Sequence, residues 1–141
     1  MASVIAVAAA RARQHELEVR SAGLMAPAGS PASAAAVAVA AEHGLDLSGH
    51  RAAQLDSDDL EWADLVLGMT HGHVDAVRRQ APDLPTVPVT AFLATENPRA
   101  GMGIEDPFGG TVEEYQRVWA ELEQAVEAML ERLSESTEAP E

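Results

Sequence analysis

Apolar residues recur every three or four positions between residues 112 and 133, the spacing of one face of an α-helix. Thr111 directly precedes this stretch and Glu114 lies in its first turn, which is the spacing of a capping box. In that motif each side chain bonds to the backbone of the other residue. The pattern predicts a long amphipathic helix that begins near residue 111. Its apolar positions are Val112, Tyr115, Val118, Trp119, Leu122, Val126, Met129 and Leu133.

The first twelve residues are rich in alanine, and Met1, Val4, Ile5 and Ala8 share one helical stripe. A strand at residues 4–7 is the alternative. It would leave only residues 8–16 to cross to the next strand, whereas such a crossover takes at least about 10–12 residues. The sequence therefore predicts a helix over residues 1–12.

Three shorter helices are predicted between these two. Ser30 and Pro31 form a helix start, with serine as N-cap and proline at the first helical position, and Gly44 ends that helix. Residues 56–63 form a short acidic helix capped by Asp56, and a further helix covers residues 72–80.

Three strands complete the pattern: Leu17–Ser21, Leu65–Leu67 and Val87–Leu93. The continuous apolar run at 65–67 is typical of a strand buried on both faces. Pro88 places the last strand at an edge of the sheet, or marks its start, because proline cannot donate to a strand ladder. Helices alternating with buried strands predict a layered α/β fold with a parallel sheet.

Composition narrows the organisation and the partners. The 141 residues indicate one domain over residues 1–133, followed by an acidic tail over 134–141. The net charge of −14 argues against nucleic acid or an anionic membrane as partner. Without a run of about 18 apolar residues, no membrane span is expected. The chain has no cysteine, which excludes a thiolate nucleophile or disulfide within it, and we predict a soluble, cytoplasmic protein.

A candidate chemical group lies in the long loop over residues 94–110. Asp106 directly precedes Pro107, which biases it to an extended conformation, and Gly109 and Gly110 allow a sharp turn into the last helix. From these residues alone two interpretations stay open. Asp106 is an aimed carboxylic acid that donates a proton beside the aromatic ring of Phe108, or it belongs to an ordinary turn.

Other constellations give weaker signals. His71 and His73 lack the spacing and the cysteine partners of a metal site, so no metal is predicted. Gly101-x-Gly103 follows no strand and is too short for a dinucleotide loop. His50 with Asp64 suggests a hydrolase triad only by residue type, because no nucleophile-elbow sequence is present.

Five separated segments, taken together, resemble the low molecular weight protein-tyrosine-phosphatase family. The likeness is strongest to its bacterial branch, which includes protein-arginine phosphatases. It covers residues 1–133 and is specific in order and spacing. The segments are VRSAG at 19–23, GSPA at 29–32, GHRAAQL at 49–55, ADLVLGMTHGH at 63–73 and DPFGG at 106–110, with Tyr115 beyond.

The resemblance implies a three-layer α/β fold, with a short parallel sheet between helices, that removes phosphate from phosphorylated proteins. In that family a cysteine thiolate in a CxxxxxR loop attacks the phosphate, and no cofactor takes part. By match, Asp106 is the general acid and Phe108 forms part of the wall over the substrate ring. Ser21 and His50 match positions that brace the phosphate loop.

The sequence departs from the family at its beginning. The match aligns Met1 and Ala2 with residues just after the arginine of the loop, so the first strand and the whole CxxxxxR loop are expected to lie ahead of residue 1. The chain then offers no nucleophile and is expected to be inactive or nearly so as written. The exposed sheet edges would be unpaired, which predicts marginal stability or self-association.

Three functions stay open at this stage. The first is a phosphatase whose true start lies upstream. The second is a non-catalytic relative that binds a phosphoprotein or another partner. The third, ranked last, is an arsenate reductase, since such enzymes need redox cysteines. The choice between phosphotyrosine and phosphoarginine is also left open.

Overall fold

Five helices and two short strands make up the part of the chain that the structure describes. The structure is a computed structural model, and it describes residues 1–24, 28–107 and 109–138. In chain order the elements are α1 (Ala2–Ala12), α2 (Ala34–Glu42), α3 (Ser57–Trp62), β1 (Val66–Gly68), α4 (His71–Gln80), β2 (Thr86–Pro88) and α5 (Val112–Glu138).

Helix α5 forms the centre of the core, and α1 and α2 both pack against it. Its predicted apolar stripe is confirmed, with one exception: Val112, at the first turn, is 40% exposed. Ala125 and Leu130 are fully buried as well, which widens the stripe beyond the predicted positions. The helix continues to Glu138, so the segment predicted as an acidic tail begins as part of α5.

The amino-terminal helix is confirmed, and the alternative of a strand at residues 4–7 is wrong. Helix α1 covers Ala2–Ala12 and buries Ile5, Ala6 and Ala10 in the core that α5 centres on. An ion pair between Arg13 and Glu127 joins the end of α1 to α5. Small alanine side chains allow the two helices to lie close together.

The sheet consists of β1 and β2, paired in parallel with Val66 opposite Thr86 and Gly68 opposite Pro88. Helix α4 connects the two strands, as the α/β pattern predicts. Two details differ from expectation. Val66 and Leu67 are only half-buried rather than buried on both faces. The second strand ends at Pro88 instead of Leu93, because a turn follows in which the Ala91 N–H donates to the Pro88 carbonyl.

The strand expected at Leu17–Ser21 is not formed. The segment follows α1 as irregular chain and makes one isolated parallel bridge beyond its end, between Gly23 and Gln54. A strand is defined by its ladder, and within the described ranges no strand lies beside residues 17–21 to complete one. β-branched and apolar residues alone do not supply that neighbour.

Helix α2 begins later than predicted. Ser33, not Ser30, is the N-cap: its Oγ accepts from the Ala36 N–H at 3.2 Å and donates to the Tyr115 hydroxyl at 3.1 Å. Pro31 instead forms an isolated antiparallel bridge with Arg51. The predicted stop at Gly44 is confirmed, since this residue follows the helix with φ of 73°.

The two remaining helices match their sequence signals closely. Asp56 caps α3 in a complete capping box with Asp59, and Thr70 caps α4 through its hydroxyl. No helix among residues 1–24, 28–107 and 109–138 is both long and apolar enough to cross a membrane.

Candidate active site at the amino end of α1

The loop that carries Asp106 is fixed to the ends of both strands. The Gly101 N–H donates to the Thr90 carbonyl at 3.1 Å, and the Gly103 N–H donates to the Thr90 Oγ1 at 2.9 Å. The Ile104 N–H donates to the Met69 carbonyl at 2.6 Å, and the Ile104 side chain is buried in the core. Met69 directly follows β1 and Thr90 lies just after β2, so the loop crosses the carboxyl ends of the sheet.

The Gly101-x-Gly103 sequence has a structural explanation. Gly103 has φ of 81°, and a Cβ at this position would lie 2.8 Å from the Met69 carbonyl oxygen. Only glycine combines this backbone conformation with so close an approach. The motif therefore serves the loop's attachment to β1, which agrees with its rejection as a dinucleotide loop.

Asp106 lies directly before a tight turn. The Gly110 N–H donates to the Pro107 carbonyl at 2.7 Å, and Gly109 has φ of 80°, the conformation that a type II turn requires at its third residue. The chain then enters α5, where the Glu114 N–H donates to the Thr111 Oγ1 at 3.2 Å. Asp106 itself is exposed. Phe108, the expected substrate wall, lies outside the described residues.

The Asp106 carboxylate lies in the electrostatic field of the amino end of α1. Burial lowers the pKa of the Met1 α-amino group, and the negative charge of Asp106 acts against this by raising it. An opposite charge has this effect mainly at short range. The charge of Asp106 therefore acts on the amino end of α1, although Asp106 is 105 positions away in the sequence.

His50 lies in the same field. Burial lowers the pKa of its imidazole first, and the positive charges of the Met1 amino group and of Arg51 lower it further. Both effects favour the neutral ring, which can donate one hydrogen bond and accept another. The charge at the amino end of α1 thus acts on the imidazole of His50, and the charge of Asp106 acts on that same amino end.

Ser21 is joined to this region through the backbone. The Gly23 N–H donates to the Ala53 carbonyl at 2.8 Å, and the Leu55 N–H donates to the Gly23 carbonyl at 2.8 Å. These bonds fix the segment that contains Ser21 beside the segment that follows His50. The side chain of Ser21 is exposed.

Two features of the site have no clear sequence signal. Thr90 holds the Asp106 loop with both its carbonyl and its hydroxyl, yet it is an ordinary threonine at the end of an apolar run. Arg20, next to Ser21, stacks on Trp62 at 4.0 Å and bonds to Asp59 at 3.4 Å. An arginine followed by an aromatic residue 42 positions later gives no pattern that identifies such a pair.

The two histidines of α4 lie at the surface of the protein. His71 and His73 are exposed at the first turn of that helix. Within the described ranges, no three histidine or acidic side chains are grouped so that they could hold a metal ion.

The arrangement suits chemistry on an anion. The first N–H groups of a helix and its dipole attract phosphate-like groups, and α1 begins at this position. An exposed carboxylic acid beside such a group can protonate a leaving atom.

Comparison with known proteins gives the family. The model of the low molecular weight phosphotyrosine protein phosphatase family matches residues 1–139. The protein-arginine-phosphatase of Geobacillus stearothermophilus is 36% identical over 119 residues, which cover 83% of this chain and 77% of that protein. The low molecular weight protein-tyrosine-phosphatase Wzb of Escherichia coli is 34% identical over 119 residues, which cover 84% of this chain and 78% of that protein.

A solved structure agrees. The low molecular weight protein tyrosine phosphatase from T. tengcongensis superimposes with a TM-score of 0.82 at 36% identity, covering 93% of this chain and 88% of the other. The chain belongs to the low molecular weight phosphotyrosine protein phosphatase family. The family and fold expected from the sequence segments are confirmed.

Proposed function

We propose that this chain provides the proton donor and scaffold for removing phosphate from phosphorylated side chains of proteins, with Asp106 as general acid. One observation supports the proposal most directly: the loop that carries Asp106 is bonded through Thr90 and Met69 across the carboxyl ends of both strands, in a chain of this phosphatase family. We place the phosphate at the amino end of α1, where the helix N–H groups would bind it and the Asp106 carboxyl would serve as the acid.

The proposed reaction has two steps. A thiolate attacks phosphorus, the bond from phosphorus to the leaving oxygen or nitrogen breaks, and Asp106 gives its proton to that leaving atom. Water then attacks the phosphocysteine, Asp106 takes up a proton from this water, and phosphate leaves with the thiolate restored. Asp106 thus ends each cycle protonated, as it began.

The other predicted site residues have supporting roles. Phe108 forms part of the wall over the substrate side chain. His50, neutral in its half-buried position, and Ser21 brace the loop that holds the phosphate. The backbone bonds between Gly23 and residues 53–55 support a common placement for these two residues.

The nucleophile is the missing part. The 141 residues contain no cysteine, so the thiolate would have to come from outside them. In one enzyme with a catalytic triad, loss of the nucleophile lowered kcat by about 2 × 10⁶-fold, and we expect a loss of similar size here. We therefore expect the 141-residue chain alone to show no phosphatase activity above the background rate.

The substrate is proposed only as a phosphorylated protein side chain. One relative is named for arginine phosphate and another for tyrosine phosphate, at 36% and 34% identity. The proposal keeps the cytoplasmic location expected from the cysteine-free sequence and the single domain over residues 1–133 with its short acidic tail.

The test restores a strand and CxxxxxR loop ahead of Met1 and compares two neighbouring exposed carboxylates, Asp106→Asn and Glu105→Gln. The Asp106 change should lower kcat by about 10²–10⁴-fold, the usual contribution of a general acid. The loss should be larger for phenyl phosphate than for para-nitrophenyl phosphate, because the more acidic phenol leaves with less help from a proton.

The matched control is Glu105→Gln, which should keep kcat within about twofold. Equal activity of Asp106→Asn and the parent on phenyl phosphate would remove the assignment of the acid. Turnover by the 141-residue chain alone would contradict the proposed need for a thiolate.

A non-catalytic relative is the second candidate, supported by the absence of cysteine in the chain. It predicts that the 141-residue chain binds a phosphotyrosine or phosphoarginine peptide without consuming it, and that Asp106→Asn strengthens binding by removing a negative charge. Calorimetry that detects no binding by the 141-residue chain would exclude this role.

Self-association is proposed at the free edge of β1. Val66 and Gly68 bond to the backbone around β2, so the N–H and carbonyl of Leu67 face the opposite edge. No strand pairs with that edge among the described residues. Unpaired strand edges of this kind favour pairing with a second chain.

A further inference from the structure

Thr90 is a buried polar residue at the end of the β2 segment. It is 1% exposed, and two of its atoms serve the same loop. Its carbonyl accepts from the Gly101 N–H at 3.1 Å, and its Oγ1 accepts from the Gly103 N–H at 2.9 Å. A buried hydroxyl with a backbone partner thirteen residues away fixes the path of the intervening chain.

Thr86 gives a contrast within the same segment. It is similarly buried, at 3% exposure, but its hydroxyl donates to the Leu84 carbonyl at 3.0 Å, two residues away. Its own carbonyl accepts from the guanidinium of Arg78 in α4. Thr86 therefore stabilises its own surroundings, whereas Thr90 holds a distant loop.

The loop held by Thr90 leads directly to the proposed acid. Asp106 lies three positions after Gly103, a reach of about 10 Å when the chain is extended. The buried Ile104 side chain and its bond to the Met69 carbonyl fix one side of this stretch, and the turn closed by Pro107 and Gly110 fixes the other. The bonds from Gly101 and Gly103 to Thr90 thus hold the beginning of the stretch that leads to Asp106.

We propose that Thr90 is a positioning residue for Asp106. Its carbonyl and hydroxyl hold Gly101 and Gly103, and with them the beginning of the short segment that leads to Asp106. A role of Thr90 in catalysis rests on the proposed function, in which Asp106 is the acid. The attachment of the loop to Thr90 rests only on the hydrogen bonds to Gly101 and Gly103.

The test compares Thr90→Val, Thr90→Ser and Thr86→Val in the 141-residue chain by NMR. The valine changes keep volume and remove one buried hydroxyl each, and serine at 90 restores the acceptor. Two signals are followed: hydrogen exchange of the Gly103 amide, and the titration of the Met1 α-amino group, whose pKa Asp106 raises.

Thr90→Val should speed exchange of the Gly103 amide by about tenfold or more, because a buried N–H loses its acceptor. It should also lower the Met1 amino pKa further, since Asp106 no longer holds its position. Thr90→Ser should return both signals towards the parent values. Thr86→Val should leave both unchanged even where it lowers the melting temperature as much.

Two results would overturn the proposal. One is faster Gly103 exchange in Thr90→Val with an unchanged Met1 titration. The other is an equal change of both signals in Thr86→Val. Should Thr90→Val not fold, Gly101→Ala strains the same attachment from the loop side, where φ is 74° and no atom lies within 4 Å of a new Cβ. An unchanged Met1 titration there would also overturn it.

These outcomes are separate from the test of the proposed function. Full activity of Asp106→Asn in the extended chain would remove the acid role while leaving the hold of Thr90 on the loop intact. A failed Thr90 test would leave Asp106 as the acid with some other means of placement.

Discussion

Two long irregular segments, residues 13–33 and 89–111, differ sharply in how they are held. The first has no fully buried residue in its described parts, 13–24 and 28–33. It is held by backbone bonds at Gly23 and Gly29 and by partly exposed side-chain contacts such as that of Arg20 with Trp62. The second buries Val89, Thr90, Gly103 and Ile104, and bonds to the carboxyl ends of both strands. Irregular chain is therefore not equivalent to loosely held chain.

The difference follows from what each segment has beside it. The Asp106 loop crosses the ends of a formed sheet, so its N–H groups find carbonyl and hydroxyl acceptors there. The described parts of the 13–33 segment form only isolated bridges, at Gly23 and at Pro31, and no strand ladder. A general acid needs a fixed position, and the better-held segment is the one that carries the proposed acid.

The largest expected effect compares one apolar side chain from each segment. Ile104→Ala should lower the free energy of unfolding by about 2–5 kcal/mol, because Ile104 is buried and leaves a cavity. Leu17→Ala should cost only about 1 kcal/mol, since Leu17 is half-buried and little apolar area is lost. Urea unfolding followed by circular dichroism measures both, and equal losses would contradict the comparison.

A smaller effect compares two glycines with positive φ, Gly103 at 81° and Gly29 at 85°. Alanine at either position should cost about 1–2 kcal/mol for the left-handed backbone. Gly103→Ala should cost about 1 kcal/mol more, because the new Cβ would lie 2.8 Å from the Met69 carbonyl oxygen, whereas nothing lies within 4 Å at Gly29.

Urea unfolding separates the cost of the left-handed backbone from the cost of the close contact. Both variants pay the backbone cost, so the difference between their free energies of unfolding measures the close approach of the loop to β1. A larger loss at Gly29 than at Gly103 would show that the 13–33 segment is the better-held one.

Sequence predicted the helices better than the strands, and the reason is physical. Asp56 and Thr111 cap helices, and Gly44 ends one, through contacts within a few residues. Such helix boundaries can therefore be predicted from a short stretch of sequence. The strand at 17–21 was predicted from side chains, but its ladder depends on a neighbour that periodicity does not reveal.

The start of α2 shows the same limit at one residue. Ser30 and Ser33 are both suitable caps by type, and the structure uses Ser33, which also bonds to Tyr115, 82 positions away. No local rule weighs such a distant contact. The choice between two good caps was therefore beyond the sequence.

The site divides in the same manner. Asp106 was identified because proline and glycine mark its turn and because neighbouring segments resemble a known family. Thr86 in β2 and Thr90 just after it are the same residue type in one extended segment. Only their hydrogen-bond partners distinguish them: Thr90 bonds to Gly103, and Thr86 bonds to Leu84. A role that depends on a distant backbone group cannot be predicted from the residue type alone.

The smallest expected effect lies within β1 itself and needs no mutation. The Val66 N–H donates to the Pro85 carbonyl at 2.9 Å, whereas the parallel register directs the Leu67 N–H to the open edge of β1. In dilute solution Leu67 should exchange its amide hydrogen about tenfold faster than Val66, because only Val66 has a strand partner. Raising the protein concentration should slow exchange at Leu67 alone if a second chain pairs there. If the Leu67 amide exchanges as slowly as the Val66 amide in dilute protein, the open edge of β1 is already covered. The proposed difference between the two edges of β1 would then be wrong.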